Sequence, residues 1–231
     1  MAITPARTRA LLKKINGLRI VVIGDVMLDH YLWGDATRIS PEAPVPVVRL
    51  TRETVSVGGA GNVALNLAGL GVHADCAGWT GDDEAGARLR ELLGLAGVRV
   101  QGIEVLRGRP TTTKTRVLSG QQQLVRIDDE DATPRPVVDR RAWDDRIVEM
   151  LDDGYDALLL SDYAKGVLSE DLCRRLIKRG RDRGIHRSPE LAAFVHFHDP
   201  SLRQPGLRRI RPWRGGHLPR LRPGRGAPRE H

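Results

Sequence analysis

Two short apolar runs without polar alternation, in Arg19–Gly24 (RIVVIG) and Ala157–Ser161 (ALLLS), constrain the fold more than any other feature of the chain. Each is followed at once by an aspartate, Asp25 or Asp162. A strand apolar on both faces belongs inside a parallel sheet covered by helices. The text around these runs supplies the helices. Ala60, Val63, Ala64, Leu67 and Ala68 recur at i, i+3, i+4, i+7 and i+8, which predicts a helix ending near Gly69 or Gly71. Ala74–Gly78 reads as a further strand and Glu84–Leu93 as a helix before Gly94. Trp143, Ile147 and Leu151 make another helical stripe, with Pro136 near its start. Ser169 is a good N-cap with Glu170 and Asp171 behind it, and opens a helix carrying Leu172, Leu176 and Ile177 that stops near Gly180 to Gly184. Strands alternating with helices predict an α/β fold, a mostly parallel sheet with helices on both faces.

Some segments lack helical partners. Thr113–Leu118 and Gln122–Asp128 flank Ser119-Gly120 as a hairpin. Val45–Leu50, after Pro41, Pro44 and Pro46, reads as an extended edge. Together they predict a small flap of strands beside the main sheet.

Charge divides the chain. The net charge of +8 over 231 residues calls for a nucleic-acid or membrane partner only if it is spread over the fold. It is not: residues 186–231 hold ten Arg, no Lys and three acids, whereas residues 1–185 hold 27 basic against 26 acidic residues. Seven of the last 46 residues are proline and no stripe persists there, so residues 186–231 are expected to stand outside the fold as a disordered tail or an out-of-frame translation. The strand that βαβ order demands after the Ser169 helix is not visible, and the fold is expected to stop near Ile185. A basic tail that binds nucleic acid is the competing reading. Only Trp213 sits among its Arg residues, so stacking readout is not expected and nucleic acid is not the expected partner. His196-Phe197-His198-Asp199 is at most a weak metal signature. Cys76 and Cys173 have no CxxC spacing and fit buried free thiols in a reducing compartment. No apolar run approaches a membrane span and no secretory signal opens the chain, so a cytoplasmic protein is expected, with no membrane partner.

Candidate site residues gather at predicted strand ends. Ligands of open parallel sheets lie beyond the carboxyl ends of the strands, where Asp25, Asp29 and Asp162 fall, with Lys165 close behind. Gly58-Gly59-Ala60-Gly61-Asn62 opens a helix whose unpaired N–H groups attract hydroxyl oxygens or phosphate. Gly59-x-Gly61-x-x-Ala64 also fits a dinucleotide fingerprint formally. Its context is poor, since Thr51–Val57 before it is polar and the expected acid, Asp75, sits near the start of the next strand rather than its end. A tight packing turn is a third reading of the same glycines. Lys114, Arg116 and Arg126 on the hairpin can clamp a phosphate, or simply line the solvated face of a strand pair.

Taken together, several strings resemble the ribokinase-like (phosphofructokinase-B type) sugar kinases. They are Gly24-Asp25-Val26-Met27-Leu28-Asp29, Arg38-Ile39-Ser40-Pro41-Glu42-Ala43-Pro44-Val45-Pro46-Val47, Gly58 to Ala64, Gly81-Asp82-Asp83, Thr113 to Leu118, Gln121 to Arg126, and Ser161-Asp162-Tyr163-Ala164-Lys165-Gly166. The Ser-Pro-Glu-Ala-Pro-Val-Pro and Ser-Asp-Tyr-Ala-Lys-Gly strings resemble the bacterial heptose 7-phosphate kinases of that family in particular. The resemblance covers nearly all of residues 1–185. It implies a ribokinase-like α/β fold with a β lid, and phosphoryl transfer from ATP, with Mg2+, to the anomeric O1 of a heptose 7-phosphate for lipopolysaccharide core heptose. By resemblance Asp29, Gly58, Gly59 and Asn62 hold sugar hydroxyls. Arg38, Lys114 and Arg116 serve the sugar-side phosphate, Asp162 and Lys165 line the same cleft, and two copies pair through the lid. The family's Gly-Ala-Gly-Asp loop, which supplies the catalytic Asp and the nucleotide site, occurs nowhere in these 231 residues. The C-terminal part of the fold is therefore expected to be missing, and the chain as written to lack turnover. Three function classes stay open on sequence alone: a sugar kinase or its remnant, a dinucleotide-dependent oxidoreductase, and a nucleic-acid-binding module.

Overall fold

The computed structural model describes residues 4–185 and 195–197. Five strands form one sheet in the order β5-β4-β1-β8-β9: β1 (Arg19–Gly24), β4 (His73–Gly81), β5 (Arg99–Leu106), β8 (Ala157–Asp162) and β9 (Val195–Phe197). Every pairing within it is parallel. Parallel pairing of β1 with β8 sets Ile23 beside Leu160 and Gly24 beside Ser161, so both apolar runs end at the same level. The helices are α1 (Pro5–Ile15), α2 (Gly59–Gly69), α3 (Glu84–Leu95), α4 (Val137–Met150) and α5 (Glu170–Asp182). Among the described residues no helix is long and apolar enough to cross a membrane.

Two cores explain why the central runs show no polar alternation. Val21 and Ile23 of β1 pack with Trp143, Ile147, Leu158, Leu172 and Leu176 on the α4 and α5 side. Val22, between them, packs with Ala60, Ala64, Leu89 and Leu93 on the α2 and α3 side. Cys76 and Cys173 are buried in these layers, and burial pushes both thiols up to about 12, which makes them inert core residues.

Four more strands form the lid, in the order β3-β2-β6-β7: β2 (Val26–Ile39), β3 (Pro46–Gly58), β6 (Thr113–Ser119) and β7 (Gln122–Asp129). The hairpin stands where the sequence places it, with Gly120 in the left-handed region at its turn (φ 59°). The Val45–Leu50 edge is the first part of the longer β3. Its polar continuation, Thr51–Val57, is also strand, because a sheet standing away from the core can carry polar residues on both faces. Strand β2, helix α1 and strand β5 are elements the sequence reading did not find.

After residue 185 the described residues resume at β9, which adds to the edge of β8 with Leu160 opposite Val195 and Asp162 opposite Phe197. An open strand edge is satisfied by any backbone that reaches it, so three residues in an unpatterned segment suffice. The remaining tail calls, on 186–194 and 198–231, including His198, Asp199 and Trp213, lie outside the described residues.

Candidate functional site

The site is built where β1 ends. A Cβ on Gly24 would stand 1.9 Å from the carbonyl oxygen of Ser161, so only glycine lets β1 and β8 stay paired to their last residue. The next residue, Asp25, is 1% exposed. Its Oδ2 accepts the N–H of Tyr163 at 2.7 Å and of Lys165 at 3.1 Å, and its Oδ1 accepts the N–H of Val167 at 3.1 Å. One carboxylate thus wraps the whole loop after β8 around itself. Burial raises the Asp25 carboxyl above its ordinary value, outweighing the three amides, and the charge of Asp162 adds to the rise. Asp162 ends β8 and accepts the N–H of Ala164 at 2.9 Å; burial raises its carboxyl too. Ala164 is the one non-glycine residue in the left-handed region among the described residues (φ 58°), a turn the Asp25 and Asp162 hydrogen bonds hold in place.

Helix α2 starts against the same residue from the other side. The N–H of Ala60 donates to the carbonyl of Asp25 at 2.8 Å. Gly59 sits at φ 57°, and a Cβ there would lie 2.2 Å from that carbonyl oxygen. A Cβ on Gly58 would lie 2.4 Å from Asp29 Oδ2. These two glycines are the only residues that let Asp25, Asp29 and the start of α2 come together. Asn62 is exposed on the first turn of α2.

Ion pairs join lid and core. Asp29, in β2 rather than in a loop, holds Arg116 of β6 at 2.5 Å. Lys114 meets Asp128 at 3.1 Å and Glu130 at 3.5 Å, and Lys165 meets Glu130 at 2.7 Å. Arg126 pairs with Asp128 at 2.8 Å. Gly58 and Arg116 thus meet at Asp29, Gly59 and the loop of Asp162 and Lys165 meet at Asp25, Lys114 and Lys165 meet at Glu130, and Asn62 shares α2 with Gly59. Arg38 does not join them. It lies nine residues along β2 from Asp29, roughly 30 Å away at about 3.3 Å per residue, on the exposed far end of the lid.

A shallow depression open to solvent lies beside this cluster, with Asp25, Trp79, Thr80, Arg109, Thr112 and Lys165 in its wall. Sequence reasoning missed Trp79, Arg109, Thr112 and Glu130. Trp79 lies two residues before the Gly81-Asp82-Asp83 string, just past the Ala74–Gly78 strand that the sequence predicts and within the longer β4. Its Nε1 has no hydrogen-bond partner among the described residues. Arg109 is strapped to the carbonyls of Asp131, Thr133 and Lys165, and its guanidinium lies 5.8 Å from the Trp79 ring centre.

Asp83 braces that joint. Besides capping α3 through the Gly86 N–H at 2.8 Å, it accepts the N–H and the hydroxyl of Thr111 at 2.7 and 2.6 Å. Burial raises its carboxyl, but the Thr111 and Gly86 hydrogen bonds and the Arg90 charge together bring it below its ordinary value near 3.8. A carboxyl lowered in the folded state stabilises fully above the unfolded value, and that contribution is lost as pH falls through the folded value. Urea melts in acid should therefore show wild type losing stability over this range while Asp83→Asn, already deprived of the charge, loses less. Parallel curves would refute the assignment.

Two expectations on the glycines are settled by placement. The strand entering α2 is β3, a lid strand antiparallel to β2, and not a strand of the parallel sheet, so the dinucleotide context is absent. Asp75, the acid that reading needed, is held by Arg99 at 2.6 and 2.8 Å and by Tyr155 at the opposite end of its strand. Among the described residues no group of three or more His, Cys, Asp or Glu side chains is placed to hold a metal ion.

Comparison with known proteins agrees with this geometry. The pfkB family carbohydrate kinase profile matches residues 18–145. The bifunctional protein HldE of Magnetococcus marinus is 48% identical over 168 residues, 72% of this chain and 34% of that protein. HldE of Methylobacillus flagellatus is 49% identical over 166 residues, again 72% and 34%. The chain spans about a third of the length of these curated relatives. Among solved structures, 2-dehydro-3-deoxygluconokinase from Thermotoga maritima superposes with a TM-score of 0.56 at 18% identity, covering 80% of this chain and 52% of that one. Arabidopsis thaliana ribokinase, solved with ribose and ATP, gives 0.54 at 16%, covering 79% and 53%. At these identities the likeness is one of fold.

Proposed function

Since the chain belongs to the pfkB family of carbohydrate kinases, we propose that residues 4–185 are the sugar-binding part of a kinase that phosphorylates the anomeric O1 of a heptose 7-phosphate, with ATP and Mg2+ as the phosphoryl source. The observation that carries the reading is the close approach of Gly58 to Asp29 and of Gly59 and the Ala60 N–H to the Asp25 carbonyl, where lid strand β3 runs into α2. The extended similarity to HldE proteins, through strings that resemble heptose 7-phosphate kinases, narrows the substrate from a sugar to a heptose phosphate. In this reading Asp29, Asn62 and the exposed N–H groups at the start of α2 orient sugar hydroxyls. Lys114, Arg116 and Lys165 face the sugar's phosphate, and Asp162 shapes the loop that carries Lys165. The lid of β2, β3, β6 and β7 covers the sugar and excludes water, which limits loss of the phosphoryl group to hydrolysis. ATP supplies that phosphoryl group, and the residues described contribute binding and orientation to the transfer. The reading also places the protein in the cytoplasm and pairs two copies through the outward lid face, where Val125 and Ile127 are 48% and 56% exposed.

The 231 residues contain neither Gly-Ala-Gly-Asp nor GxxxxGK[ST]. Since phosphoryl transfer depends on positioning and charge stabilisation, the 231-residue chain by itself is expected to bind the sugar phosphate without turning it over. Calorimetry with heptose 7-phosphate should show saturable binding, a coupled assay should show no ADP formation, and sedimentation should show a dimer. Turnover by the purified chain would sink the claim of incompetence. A folded chain that ignores the sugar phosphate would sink the site itself, and saturable NAD binding in its place would revive the oxidoreductase reading.

A further inference from the structure

Lys114 and Lys165 come from different parts of the fold, one from lid strand β6 and the other from the core loop after β8. Their Nζ atoms nevertheless meet on one carboxylate. Glu130 Oε1 lies 2.7 Å from Lys165 Nζ, and Oε2 lies 3.5 Å from Lys114 Nζ. The three side chains are only 16–24% exposed, and Glu130 stands on the segment that leads from β7 to α4. Two ammonium groups that converge on one small oxyanion from two different elements suit a phosphate, which is hydrogen-bonded from several directions.

Resting on the proposed function, which turns Lys114 and Lys165 toward the substrate's phosphoryl group, we propose that Glu130 is the internal competitor for these two lysines and sets their selectivity. A phosphate monoester carries nearly two negative charges and three acceptor oxygens, against one charge and two oxygens for Glu130. The dianion therefore takes the lysines from Glu130, whereas a neutral sugar or a monoanion does not. Lys114 stays oriented in the exchange because Asp128 holds it at 3.1 Å, and Asp128 is itself held by Arg126. When Glu130 gives way, its ion pair between the β7–α4 segment and the core loop is lost, while Arg109 still straps Asp131 and Thr133 to Lys165, so the exchange frees the lysines without unseating the lid.

The test is a gain of affinity, which a merely structural role for Glu130 would not produce. Calorimetry on the 231-residue chain should show Glu130→Gln binding inorganic phosphate about tenfold tighter than wild type, the scale of one charge-assisted pair removed from competition. Affinity for unphosphorylated heptose should not change, and Lys165→Met should lose phosphate binding. Unchanged or weaker phosphate affinity in a folded Glu130→Gln overturns the inference. If that variant does not fold, amide spectra of the wild type decide: phosphate must move the signals of residues 114, 130 and 165, and shifts confined elsewhere reject the subsite. The two readings separate cleanly. Phosphate effects without any heptose binding defeat the sugar reading alone, and heptose binding with no Glu130 effect defeats this one alone.

Discussion

Asp25→Ala should lower the stability of the chain by about 3–6 kcal/mol, from three N–H groups, one buried and two half-buried, losing their acceptor at about 1–2 kcal/mol each, and should abolish binding of sugar phosphate. The amides of Tyr163, Lys165 and Val167 all point at this one carboxylate, which is 1% exposed, so no water replaces it without repacking. A domain of this size is stable by only about 5–15 kcal/mol, so the variant will stand near the edge of folding. Asp25→Asn keeps the shape and one acceptor oxygen, but turns an NH2 group toward amide donors, and should fall between. The pH dependence is diagnostic. The folded carboxyl is raised, so its contribution is complete below the unfolded value near 3.8 and declines as pH rises through the folded value. The gap in unfolding free energy between wild type and Asp25→Ala should thus be wider in acid than at neutrality. A variant that melts with wild type and still binds would show that the loop after β8 holds itself.

Gly59→Ala should cost about 1–2 kcal/mol for a left-handed residue with a Cβ and about 1–3 kcal/mol more for overpacking against backbone, with sugar binding lost. The added methyl would sit 2.2 Å from the Asp25 carbonyl, which cannot retreat because it already accepts the Ala60 N–H. The start of α2 must move instead, and in the proposed reading it orients the sugar. Gly69→Ala, at the other end of the same helix with nothing within 4 Å, is the control and should be neutral or slightly stabilising. Chemical denaturation and calorimetry on the pair will tell; equal behaviour of the two variants would mean that the close approach at Gly59 carries no weight.

The parallel sheet was legible because RIVVIG and ALLLS are apolar on both faces, and the helices because their stripes follow the 3.6-residue period. Strand β2 was not, since Asp29, His30, Tyr31, Gly34 and Asp35 interrupt any alternation, and only Asp25 separates it from β1. What makes it a strand is pairing with β3 on one side and β6 on the other, a tertiary fact. The glycines at 58 and 59 were legible as a close approach, although what approaches, Asp25 and Asp29, was not. Arg38 reads as a neighbour of Asp29 in the strings and is distant in space, because an extended strand of 14 residues separates its ends as widely as any chain can. Glu130 carried no signal, because its meaning lies in residues 16 before it and 35 after it.

The chain passes between core and lid four times: at Asp25 from β1 to β2, at Gly58 and Gly59 from β3 to α2, through residues 107–112 from β5 to β6, and through residues 130–136 from β7 to α4. All four passages run through or beside residues that build the site. The lid is therefore not a detachable module. Transplanting it from a relative with another sugar preference would rewrite the floor of the site at every graft point, so chimeras cut at these joints should fail even where both parents fold. Cuts at the lid tip, near Gly120 or in the Ser40–Val45 turn, leave all four joints intact and are the places to open, extend or permute this chain.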